Sequence, residues 1–218
     1  MPLRRSLRRS LAAVAGLALL ALPLAACGDD EAEGASGAPK PVAVVESLSG
    51  ESTAIKLDQG FVDALGDLKL TPGTTGGGKL TKEGSLVFPI TGGNVTVFTP
   101  GEVSPYVIGQ IQHEGSGLTL TSGGTTVRLS NFNVDPGVSR VYGDVAVNGK
   151  TVVTSAYLFK LDGRTLEPLQ AKGGKAVLTG TKVEISEVAA PLLNKTFGTK
   201  AVKAGLLVGI ATITVETK

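Results

Sequence analysis

The feature that most constrains this chain is a succession of short Val- and Thr-rich alternations, each stopped by a turn signal roughly every 8 to 12 residues. Apolar residues recur with period two at Leu118-Leu120, Val127-Leu129, Phe132-Val134, Val141-Val145-Val147, Val183-Ile185 and Ile213-Val215, with shorter apolar marks at Val152-Val153, Leu158, Leu161 and Val177. The stops carry turn chemistry: Gly92-Gly93-Asn94, Ser122-Gly123-Gly124, Asp135-Pro136-Gly137, Asn148-Gly149, Asp162-Gly163 and Gly173-Gly174. Asn148-Gly149 is the sharpest of these, because a two-residue type I′ hairpin needs positive φ at both central positions and Asn-Gly tolerates it best. The pattern predicts a mainly β fold, an antiparallel β-sandwich or barrel-like domain.

Two stretches depart from period two and predict one or two short helices. Ile55, Phe61, Val62 and Leu65, with Leu57 and Leu68 nearby, lie on an amphipathic segment ended by the glycine-rich residues 73–78. The second runs over residues 186–197, with Ser186 placed to cap, Val188, Leu192, Leu193 and Phe197 on one face, and Gly198 suited to the left-handed stop. Pro191 fits such a helix only in its first turn, where its missing N–H costs nothing.

The chain opens with a different grammar. Residues 1–26 hold Arg4, Arg5, Arg8 and Arg9, then an apolar run over residues 11–22, then a small-residue exit. This is the pattern of a secretory signal peptide, and the run is short of the ~20 residues that span a bilayer as a helix. Leu24-Ala25-Ala26-Cys27 resembles the lipobox of bacterial lipoproteins, in which the cysteine is acylated with diacylglycerol and becomes the new N-terminus. An ordinary cleavage site that leaves Cys27 as a chance thiol is the alternative. Cys27 is the sole cysteine, so it has no intrachain disulfide partner. Residues 27–41, rich in Gly, Ala, Ser, Pro and acid, read as a flexible tether, and residues 42–218 as one β-rich extracytoplasmic domain. The expected location is the outer face of the bacterial cell membrane, with the membrane itself as a partner through the lipid anchor.

Charge and residue types narrow the function. Taking the four leader arginines from 21 basic residues leaves 17 against 19 acidic ones, so nucleic acid is excluded as a partner. His113 is the single histidine and Trp is absent. Gly115-Ser116-Gly117 reads as a glycine turn beside it rather than a nucleophile elbow. No His or Cys pair and no Asp-X-Asp-X-Asp loop calls for a metal. Thr75-Gly76-Gly77-Gly78-Lys79-Leu80 lacks the spacing of a phosphate loop and reads as a mobile loop. No catalytic residues are assigned. The residues point to a non-enzymatic domain, without cofactor, that binds a small ligand or an envelope component.

Residues 109–120, Gly-Gln-Ile-Gln-His-Glu-Gly-Ser-Gly-Leu-Thr-Leu, followed by Leu129-Ser130-Asn131-Phe132-Asn133-Val134, resemble the centre of the HtaA-type domain of actinobacterial surface proteins. The resemblance implies a β-rich domain that captures haem at the cell surface, with a tyrosine ligand in an early amphipathic segment assisted by a histidine. His113 is similar in position to that histidine. The tyrosine has no counterpart: none occurs between Pro41 and Pro105, and Phe61 offers a ring without an oxygen. Tyr106 and Tyr142 are the alternative oxygen donors named for a site around His113; Tyr157 is the third tyrosine. A hydrogen-bonded turn histidine and packed tyrosines are the plainer reading of the same residues.

If Cys27 carries the anchor, Cys27→Ser moves the protein out of the membrane fraction or leaves an unprocessed precursor. A variant that fractionates and migrates like the wild type contradicts the assignment.

Overall fold

In the computed structural model, which describes residues 37–48 and 50–216, the local signals meet a long antiparallel sheet. The elements are β1 Ala43–Val45, β2 Ser52–Leu57, α1 Gln59–Asp67, β3 Thr71–Gly76, β4 Lys79–Leu80, β5 Ser85–Pro89, β6 Gly92–Val97 and β7 Val107–Ser122. They continue with β8 Thr125–Asp135, β9 Arg140–Val147, β10 Lys150–Asp162, β11 Gln170–Lys172, β12 Lys175–Ile185, α2 Ala189–Phe197 and β13 Leu207–Glu216. The leader and most of the tether fall outside the described residues. Residues Pro39–Lys218 form one unit.

The hairpin turns behave as their chemistry requires. Asn148 and Gly149 take φ of 49° and 83° and join β9 to β10, with Val147 opposite Lys150. Gly123 and Gly124, at 55° and 79°, close β7 onto β8 in the same way. The strand order is β1-β6-β7-β8-β9-β10-β12-β13-β2-β5-β4, with β3 added to β7 and β11 to β12. This is a single curled antiparallel sheet that forms a half-barrel.

The curl has two visible causes. First, β5 and β6 stand at opposite flanks of the order but are joined by only Ile90 and Thr91. Ile90 donates its N–H to Glu51 O beside β2, and Thr91 donates its own to Gln112 O in β7. The chain thus steps from one flank to the other at a corner, which brings the flanks together. Second, bulges interrupt β7 between His113 and Gly117, β8 between Ser130 and Asn133, and β10 between Val153 and Ala156. They are stitched on the outer face: Gly115 N–H donates to Asn131 Oδ1 (2.9 Å), Asn131 Nδ2 to Asp144 Oδ2 (2.8 Å), and Ser155 N–H to Asp144 Oδ1 (3.0 Å). Aligned bulges bend neighbouring strands along one crease.

Several expectations are corrected here. Residues 115–117 are not a turn but the bulge inside the 16-residue β7. Ile55 and Leu57 belong to β2, and the helix begins only after Asp58, whose side chain accepts from Gly60 N–H at 2.9 Å. Residues 75–80 are not a mobile loop; Thr71–Gly76 pairs with β7 from Thr121 to Ser116, and Lys79–Leu80 pairs with β5. Glycine is required there because Gly76 has φ of 61°, and a Cβ on it would sit 1.6 Å from Gly115 O. Gly92-Gly93-Asn94 likewise lies within β6, not in a turn, and a Cβ on Gly93 would meet Gln110 O at 2.0 Å. Glycine marks close backbone approach as well as turns.

The second helix matches its reading except that it begins at Ala189, and Val188, expected on its apolar face, precedes it and is exposed. Ser186 Oγ accepts from Ala189 N–H at 2.9 Å, Pro191 falls in the first turn, and Gly198 stops the helix at φ of 64°. Phe61 and Leu65 of α1 and Leu193 of α2 pack over Leu120 and Ile185, around a small cavity of about 230 Å³.

Candidate functional site

Strand alternation sends every second side chain to the concave face, and there the side chains leave space. The result is a cavity of about 590 Å³ whose wall draws Ala43 and Val45 from β1, Ile111 and His113 from β7, Leu161 from β10, Ile213 from β13 and Ile55 from β2. One side is a run of rings in edge-to-face contact: Phe88 and Phe132 at 5.1 Å, Phe132 and Phe159 at 6.2 Å, and Phe88 and His113 at 6.4 Å. More polar lining comes from Ser104 and Tyr106 in the loop before β7, from Asp162 at the end of β10 and from Arg164 just beyond it. Asp162 accepts from the backbone N–H and Nε of Arg164 on Oδ1 and from Nη2 on Oδ2 at 2.7 Å. These bonds hold its carboxyl well below the usual carboxylate range.

His113 is the most deeply buried polar side chain of this wall among the described residues. The residue is 2% exposed, and its Nδ1 lies 2.8 Å from Pro89 O at the end of β5. A carbonyl only accepts, so Nδ1 carries the hydrogen. Burial pushes the imidazole below its ordinary value, which keeps the ring neutral and leaves Nε2 an acceptor. Thr53 Oγ1, 3.2 Å from Nε2, is therefore the donor in that bond. One side chain thus ties β7 to β5 and to β2.

The three ligand candidates named from sequence are not brought together. His113 and Tyr106 both line the cavity, but five strand residues lie between Val107 and His113, which sets those two about 20 Å apart along β7. Tyr106 therefore stands at the other end, and burial pushes its phenol up, so it is a protonated hydroxyl at neutral pH. Tyr142 faces outward beside the cavity-lining Val141. Its ring lies 6.0 Å from Tyr157, whose face Arg140 covers at 4.5 Å. Cys27 lies outside the described residues.

Thr53, Phe88 and Pro89 complete the histidine's surroundings and were not identified from sequence. The available signal was the buried alternation of Leu86, Phe88 and Ile90. Among the described residues no group of three His, Cys, Asp or Glu side chains is placed to hold a metal. Thr53, His113 and the Pro89 carbonyl have the order of nucleophile, base and orienting group. However, Thr53 lies inside β2, laddered to β13 on one side and β5 on the other. The backbone around it is engaged in sheet bonds rather than presented as a donor pair for an oxyanion.

The histidine clamp sets a pH dependence. The unfolded chain titrates this ring at about 6.5 and the folded protein at a lower value. Between those values the unfolded state binds the extra proton, so stability is complete above about pH 6.5 and declines as the pH falls below it. The urea midpoint is expected to be lower at about pH 5.5 than at about pH 7.5, and less so in His113→Ala. That variant is destabilised by about 2 kcal/mol or more at the higher pH, because the Pro89 carbonyl and Thr53 hydroxyl lose their partner. Equal wild-type midpoints at both pH values contradict the clamp.

No model of a known protein family matches the chain, and no curated protein matches it either. Solved structures do. The C-terminal domain of HtaA from Corynebacterium glutamicum superposes with a TM-score of 0.54 at 12% identity, covering 78% of this chain and 98% of that one. The N-terminal domain of the same protein gives 0.51 at 12% identity, with 78% and 98% covered. A weaker likeness, 0.46 at 11% identity over 80% of this chain and 96% of the other, is to the heme binding protein HtaB of that organism. The first two likenesses carry the conclusion: the chain has an HtaA-like fold.

Proposed function

We propose that this protein is a lipid-anchored, non-enzymatic binding protein on the extracytoplasmic face of the bacterial membrane, and that its half-barrel captures a bulky hydrophobic small molecule. The observation that carries the reading is the cavity of about 590 Å³, walled by aliphatic side chains and the Phe88, Phe132 and Phe159 rings. Its size and lining match ligand pockets, which occupy roughly 300–1,000 Å³ and combine apolar walls with few polar groups. Acylated Cys27 would hold the domain at the membrane and residues 27–41 would hold it away from the headgroups. An envelope component that delivers or receives the ligand is the partner such an arrangement calls for.

Haem is the second reading, favoured by the sequence resemblance, the HtaA-like fold and Tyr106 on the cavity wall. The apolar space suits a porphyrin ring. His113 does not suit iron, since its one lone pair already accepts from Thr53. Tyr106 is the oxygen donor on the wall that remains, and binding a ferric ion requires it to lose the proton that burial favours.

Titration of the protein with anilinonaphthalene sulfonate and then hemin tests both readings. Saturable fluorescence enhancement, reversed by hemin, is expected for the hydrophobic cavity. A shifted Soret band that Tyr106→Phe abolishes selects haem ligation, and displacement without that shift selects packing alone. Absence of saturable binding by either compound contradicts the proposed function.

A further inference from the structure

The floor of the cavity carries one polar atom whose hydrogen-bonding state is fixed. Pro89 O takes the hydrogen of His113 Nδ1, which makes Nε2 an acceptor, which in turn takes the hydrogen of Thr53 Oγ1. Each step follows from the one before, because a carbonyl has no hydrogen to give and a neutral imidazole has one. Thr53 Oγ1 is left with lone pairs and no free donor. Thr53 is 5% exposed and lines the cavity, and Oγ1 makes no other hydrogen bond among the described residues. Around it the wall is Ile55, Leu86, Phe88 and Ile213.

We infer that the Thr53 hydroxyl is a recognition point for the hydroxyl group of an apolar alcohol, which donates its hydrogen to Oγ1 while the hydrocarbon body lies against the Phe88–Phe132–Phe159 wall. This inference deepens the proposed hydrophobic-ligand function and rests on it. The chemistry is selective in one direction. An ether or ester end presents lone pairs to lone pairs, whereas an alcohol completes the chain from ligand to Thr53 to His113 to Pro89. In a dry pocket, a ligand that leaves the acceptor unmatched loses the bond without recovering a water in its place. The geometry also sets a polarity for the bound molecule, with its hydroxyl at the His113 end and its tail toward the Tyr106 end.

The test compares dodecanol with dodecyl methyl ether, which share a hydrocarbon body and differ in the donor, as displacers of anilinonaphthalene sulfonate from the full-length protein. The wild type is expected to be displaced at a roughly three- to tenfold lower concentration of the alcohol, the worth of one neutral hydrogen bond. Thr53→Val, which keeps the branched shape suited to β2, removes that preference, with displacement by the ether measured alongside to show that the cavity still binds. Thr53→Ser, which keeps the hydroxyl, retains it. Equal displacement by the two compounds in the wild type overturns the recognition point and leaves the cavity reading standing. A preference that persists in Thr53→Val also overturns it. Failure of both compounds to displace the probe, or of the probe to bind, overturns the cavity reading and this inference with it.

Discussion

The bonds of His113 occupy the place where the two flanks of the sheet meet. Its ring sits on β7, and its two nitrogens engage the carbonyl that ends β5 and a hydroxyl on β2. Immediately beyond that carbonyl, Ile90 and Thr91 carry the chain from the β2 flank to the β7 flank. An antiparallel sheet of this many strands would otherwise twist as an open surface with two exposed edges. Pinning its flanks at one corner converts twist into curvature. The crease through Gly115, Asn131, Asp144 and Ser155 bends the strands opposite. The cavity is the space that this curvature encloses.

The same clamp decides what the cavity can do chemically. An imidazole with both nitrogens committed is a poor metal ligand, and a threonine laddered on both sides is a poor nucleophile. What remains is a neutral hydrogen-bonded pair set in an apolar wall, which under the proposed binding function would orient a ligand. The loop at Asp162 and Arg164 shows the opposite strategy: its charges are matched within the loop itself. The apolar character of the interior therefore survives the presence of ionic groups among its lining residues.

How far the sequence is legible depends on the range of the interactions involved. Asn148-Gly149 and Gly123-Gly124 are self-contained, because positive φ at adjacent residues specifies the hairpin; Ser186 and Gly198 likewise bound α2 by local bonds. The strands between residues 71 and 97 are much less legible. Their glycines permit backbone contacts with β7 that have no local signature. His113 stands out from sequence as the single histidine, but its partners lie 60 and 24 residues away and come from strands that only the corner brings together. Tyr142 and Tyr106 are equally visible as residues, and only register, which the bulges reset, decides that one faces out and the other in.

Under the proposed function, ligands enter the concave interior and not the outer face. Methyl NMR spectra of the protein with labelled isoleucine, leucine and valine, recorded while anilinonaphthalene sulfonate is added, test it directly. The account predicts shifts at Ile111, Leu161 and Ile213, which line the cavity, with Ile108 and Val138, exposed at 40% and 56%, left unchanged. Shifts confined to Ile108 and Val138, with the cavity methyls unmoved, would contradict it.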